Sequence, residues 1–117
     1  MNLLYISIFL FVTAIAIGLY LVILGLRKRE RSPGLGLTHA SAASAGLIVL
    51  LAMIFTGPTD KVNNVAALFL VFAIIGGGMV FALHEDKKPP SMVAVTVHAV
   101  MGLTGIGLLL LNLFRQV

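Results

Sequence analysis

The chain has 117 residues, 60% of them hydrophobic and 10% charged, with a net charge of +4 and no cysteine. At a mean hydropathy of +1.12 it is too apolar for a soluble domain, and too little lies outside the apolar stretches for a soluble catalytic core. Missing cysteines exclude disulfides, thiolate ligands and thiol nucleophiles, and basic residues clustered beside apolar runs point to topology and lipid headgroups, with no role for nucleic acid.

Four stretches, roughly 3–26, 35–55, 62–83 and 92–114, each reach the length of about 20 residues that a bilayer span needs. None contains Asp, Glu, Lys or Arg. The expected architecture is a single all-α domain: an integral membrane, antiparallel four-helix bundle with short connections.

Met1-Asn2 runs into the first stretch without the basic start of a cleaved signal, so this segment is expected to be retained as a span. Tyr5 fits an interfacial anchor, whereas Tyr20 lies deeper and is expected to need a hydrogen-bond partner or a polar cavity. Arg27-Lys28-Arg29-Glu30-Arg31 ends the span, and Ser32-Pro33-Gly34 turns the chain, with Ser32 suited to cap a helix beginning at Pro33.

The second stretch carries His39 near this basic end. Thr56-Gly57-Pro58-Thr59-Asp60 makes the next turn, where Thr59 or Asp60 can cap the third helix. That helix ends in Gly76-Gly77-Gly78, a run that costs stability unless a neighbouring helix or a flat ligand comes close to the backbone. Residues 85–91 lead to the fourth stretch, which carries His98.

Loops 27–34 and 85–91 hold Arg27, Lys28, Arg29, Arg31, Lys87 and Lys88, against Lys61 and Arg115 at the other end. Positive loops stay inside, so both loops are expected in the cytoplasm and both termini outside the cell (inner) membrane. All three histidines, His39, His84 and His98, then lie toward one face.

The chain also matches itself. A shift of 59 places His39, Ala40, Gly46, Leu50, Leu51 and Phe55 on His98, Ala99, Gly105, Leu109, Leu110 and Phe114. Upstream, a shift of 58 pairs Leu10, Phe11, Ile17, Gly18 and Val22 with Leu68, Phe69, Ile75, Gly76 and Val80. The pattern predicts two repeated helical hairpins, each keeping one histidine.

Positions i, i+4 and i+7 share a helix face. That face reads His39, Ala43, Gly46 in one copy and His98, Gly102, Gly105 in the other. Each histidine thus stands over a strip almost without side chains, which leaves room for a bulky planar group. In a four-helix bundle the second and fourth helices sit across a diagonal of about 14 Å, close to what two imidazoles need to clamp one haem b. Arg27, Arg31, Lys28 or Lys87 can hold the propionates. Two imidazole ligands leave no open coordination position and so favour electron transfer. Gly18 and Gly76–Gly78 are placed to give close contact from the first and third helices.

With His39, His98 and their trailing small residues, the outline resembles the four-helix membrane-bound b-type cytochromes, in which diagonal helices hold haem between histidines. The resemblance implies single-electron transfer with a quinone or a redox protein as partner. It departs from members that stack a second haem across the membrane, because no histidine lies near the far face.

His84 falls outside the repeat and reads as an interfacial histidine at a helix end, with an alternative axial ligand or a proton relay as its other roles. Three converging histidines would instead form a Zn or Cu site. A different class is the non-catalytic accessory subunit, packing by its small residues into a larger membrane complex or a homo-oligomer. The chain is similar in size to the small multidrug transporters, but its first span lacks their embedded glutamate. No paired carboxylates, nucleophile–base set or phosphate loop is present, so any catalysis would be redox chemistry at the haem.

Overall fold

The computed structural model describes residues 2–27, 29, 33–82 and 90–116. Its elements are four helices, α1 (Leu3–Leu26), α2 (Pro33–Thr56), α3 (Lys61–Ala82) and α4 (Met92–Gln116). Each is long and apolar enough to cross a membrane, and the bundle is 47 Å long, more than the hydrocarbon thickness of about 30 Å.

Local chemistry sets the helix ends. The Asn2 side chain accepts the Leu4 N–H at 2.9 Å and caps α1. The second helix begins at Pro33, the first helical position expected from the turn and two residues before the apolar stretch starts, because a proline in the first turn has no N–H to leave unpaired. Ser32, the expected cap, lies outside the described residues. Of the two candidate caps for α3, Asp60 is the one used: one carboxylate oxygen accepts the N–H groups of Val62 and Asn63 at 2.9 and 3.2 Å.

Within each helical pair the chain runs antiparallel. Ser7 and Ala14 of α1 meet Gly46 and His39 of α2 in reversed order, and Asn63 and Ala73 of α3 meet Asn112 and His98 of α4 in the same way. The tightest pairs are α1 with α2 and α3 with α4; α2–α3 and α1–α4 contacts close the ring, which leaves α1/α3 and α2/α4 as the diagonals.

The inner faces repeat at one constant separation. Leu4, Ser7, Ile8, Phe11 and Ala14 are buried on α1, and their counterparts 59 positions on, Asn63, Ala66, Ala67, Leu70 and Ala73, are buried on α3. On the other two helices Gly46 and Leu50 match Gly105 and Leu109. The buried positions of α1 and α3 thus pair at 59 and not at the upstream shift of 58. Leu68 and Ile75, two residues that made the shorter shift attractive, are exposed, and identities among outward apolar residues carry little register information.

All of this burial lies in one half of the bundle. Among the described residues, none of 15–26, 33–45, 74–82 or 92–104 is buried. The core of Leu4, Phe11, Leu50, Ala66, Leu70 and Leu109 fills the end remote from the basic loops. Tyr20 belongs to the other half and is 51% exposed, with neither the hydrogen-bond partner nor the polar cavity expected for it among the described residues.

The closed end is tied by polar side chains. The Asn112 amide, 1% exposed, donates to Asn63 Oδ1 at 2.7 Å and to Asp60 Oδ2 at 3.1 Å, while Arg115 donates to Asn112 Oδ1 at 2.7 Å. Ser7 donates to the Gly46 carbonyl at 2.9 Å. No buried side-chain polar atom among the described residues lacks a partner, as a low-dielectric interior requires.

Leu50 is wholly buried and Phe55 82% exposed. Leu50→Ala should lower unfolding stability in detergent by about 2–4 kcal/mol, and Phe55→Ala should change it by less than about 0.5 kcal/mol. Burial raises the Asp60 carboxyl, but hydrogen bonds from Asn63, Asn112 and Val62, with the Arg115 charge, outweigh it and hold the group below the usual carboxylate range. A carboxyl whose folded pKa is depressed stabilises above its unfolded pKa and loses that contribution as the pH falls through the folded one. Asp60→Asn should therefore be less stable than wild type above pH ~5 and approach it below pH ~3 in pH-dependent unfolding.

Candidate functional site: a facing pair of histidines

Each histidine is the seventh residue of its helix, about 9 Å from the first at 1.5 Å per residue. Both are partly buried, and both lie where the core stops. Although α2 and α4 are diagonal, the two imidazoles meet across the bundle with ring centroids 6.0 Å apart and planes crossed at 83°.

Each ring is tethered to the other helix of its own hairpin. His39 Nδ1 lies 2.8 Å from the Ala14 carbonyl oxygen, and His98 Nδ1 lies 2.7 Å from that of Ala73. A carbonyl oxygen only accepts, so Nδ1 carries the proton in both rings. In the neutral imidazole Nε2 is then an unprotonated electron-pair donor. Neither Nε2 has a hydrogen-bond partner among the described residues, and neither is sealed from its surroundings. A ring N–H on a backbone carbonyl is also the outer-shell arrangement that orients metal-bound histidine.

Glycine makes room for each ring. A Cβ on Gly18 would lie 2.8 Å from His39 Cε1, and one on Gly77 would lie 2.7 Å from His98 Cε1. Gly76 and Gly78 have nothing within 4 Å of such an atom, so within the glycine run the close approach belongs to Gly77 alone.

The small strips below the histidines serve a different contact. The Phe11 ring lies over Gly46, and Leu70 with the Ala66 carbonyl lies over Gly105; Gly102 rests against Ala73. The void expected down to Gly46 and Gly105 is thus filled from α1 and α3, because helices that approach at glycine receive the partner's side chains there. Ala43, one turn below His39, is partly buried.

Arg27 is exposed at the end of α1, about 13 Å along the helix from Gly18. Arg31 and His84 lie outside the described residues, as do Lys28 and Lys87. Among the described residues no three His, Cys, Asp or Glu side chains gather into a metal site.

Sequence reading singled out both histidines and placed Gly18 and Gly77 among the close contacts, but it missed Ala14 and Ala73. The signal was present: at the shift of 59, Val12, Ala14, Ile15 and Gly18 fall on Val71, Ala73, Ile74 and Gly77. No family model, curated protein or solved structure matches the chain.

A methyl group at position 105 would lie 2.7 Å from Leu70 Cγ, whereas at 102 its nearest neighbour is 3.8 Å away. Gly105→Ala should destabilise the protein by about 1–3 kcal/mol through overpacking. Gly102→Ala should be neutral or up to about 1 kcal/mol stabilising through helix propensity, both measured by reversible unfolding in detergent.

Proposed function

We propose that the chain is a multi-pass membrane protein that holds one b-type haem between His39 and His98 and transfers single electrons. The observation that carries this reading is the pair of imidazoles that meet across the bundle, with unengaged Nε2 atoms, at the level where the core ends. Two metal–imidazole bonds of about 2 Å on opposite sides of one ion, plus about 1 Å from each nitrogen to its ring centre, require centroids about 6 Å apart. The rings stand at 6.0 Å.

The surroundings fit a planar group entering between the hairpins. Among the described residues none is buried in the histidine half, which leaves room there between the hairpins. Phe11 and Leu70, packed over Gly46 and Gly105, form the floor, while Ala43 and Gly102, one turn below the rings, would flank the group. Arg27, exposed at the end of α1, would attract the propionates. A haem with two axial imidazoles supplies one-electron transfer without an open position for oxygen. The chain's own part is to present two neutral Nε2 donors, keep Nδ1 protonated on a carbonyl and exclude bulk water from below.

In this reading the two hairpins are duplicated copies, and the shared separation of 59 supports it. Loops 27–34 and 85–91 are cytoplasmic and the termini extracytoplasmic. The site then lies near the cytoplasmic face, with about 26 Å of helix from His39 to Thr56 below it. Its redox partner is a quinone or a protein met on that side.

His39→Ala and His98→Ala should each abolish the low-spin α-band in reduced-minus-oxidised spectra of protein purified from haem-sufficient cells, and His84→Ala should largely keep it. A colourless wild-type preparation made with ample haem sinks the proposal.

A further inference from the structure

In an α-helix the carbonyl of residue i accepts the N–H of residue i+4, and the side chain at i+4 lies over that same stretch of backbone. A second donor reaches the carbonyl from outside only if position i+4 leaves space. Both carbonyls that receive a histidine are followed four residues later by glycine: Ala14 by Gly18 and Ala73 by Gly77. In both cases a Cβ would strike the imidazole itself, nearest at Cε1, the ring carbon between the two nitrogens. The flanking Gly76 and Gly78 meet nothing, so a general need for flexibility or close helix contact does not explain the coincidence.

We propose that Gly18 and Gly77 are positioning residues, each a window onto the carbonyl four residues before it, through which the histidine opposite locks its Nδ1–H and turns Nε2 toward a shared ligand. The window selects the tautomer: with Nδ1–H donated to the carbonyl, the free electron pair is left on Nε2. It also fixes the ring plane. The two windows, one in each hairpin, hold the planes crossed at 83°. The ligand part of this inference rests on the haem reading; the tautomer part does not.

The donated hydrogen bond increases the electron density that the imidazole passes to a metal and so favours the oxidised, more positive ion. Closing a window should raise the midpoint potential of the bound haem.

The test uses the full-length protein in lipid nanodiscs with 15N-labelled histidine, prepared without haem and with haem. Without haem, wild-type His39 and His98 should both show protonated Nδ1 and unprotonated Nε2. Gly18→Ala should shift only the His39 signals and Gly77→Ala only those of His98, while Gly76→Ala and Gly78→Ala leave all of them in place. With haem, Gly18→Ala and Gly77→Ala should raise the midpoint potential or convert part of the haem to high spin, and the two control variants should do neither. Wild-type rings protonated at Nε2, or Gly18→Ala and Gly77→Ala with wild-type ring signals, overturn the windows. If one of these variants fails to fold, the wild-type tautomers and the other variant still decide. Failure of the wild type to take up haem, with the tautomers as expected, overturns the haem reading and leaves the windows standing.

Discussion

The structure turns on a hydrogen bond made twice: an imidazole Nδ1–H donated to a backbone carbonyl already engaged in its own helix, at 2.8 Å in one hairpin and 2.7 Å in the other. A histidine in an apolar bundle needs a partner for its polar atoms, and this bond provides one without spending a side chain. It also brings α1 against α2, and α3 against α4, at the level of Ala14 and Ala73, the last buried residues before the open half. Because the acceptor is backbone, only the steric openness of the helix is demanded of the sequence, and that demand appears as a single glycine in each hairpin.

The bundle divides along its length. At one end, Leu4, Phe11, Leu50, Leu70 and Leu109 interdigitate around alanine and glycine, and Asn63, Asn112, Asp60 and Arg115 tie α3 to α4. At the other end the described residues bury nothing, and the histidines stand at the boundary. A four-helix bundle with ordinary packing would carry its core through both halves. A closed end holding register beneath an open end that presents two donors is an economical way to build a site from 117 residues, since the closed end fixes where the rings stand.

The two hairpins bury positions at the same separation but with different chemistry. Ser7, Leu4 and Phe11 occupy the positions of Ala66, Asn63 and Leu70, so the first hairpin reaches the Gly46 carbonyl by a hydroxyl where the second brings backbone against Gly105. The asparagine tie exists only in the second. Around the histidines this difference disappears: carbonyl, glycine and ring have the same spacing and nearly the same distances in both. The identity is confined to these contact residues: their neighbours Tyr20 and Ser44 stand opposite Met79 and Leu103 at the same separation.

From the order of its residues alone the chain determines four apolar helices, their approximate ends and the two histidines as a matched pair, because span length, charge exclusion and capping are local properties. It also shows the glycine run as something needing an explanation. The separation that the buried faces keep and the choice of Gly77 over its two neighbours were decided only in three dimensions. Each depends on which face of a helix its partner covers, and in a chain apolar on every side the hydrophobic pattern that would reveal that face is absent. Whether the small strips enclosed a void or received Phe11 and Leu70 was likewise a question of inter-helix fit, which spacing along one helix does not contain.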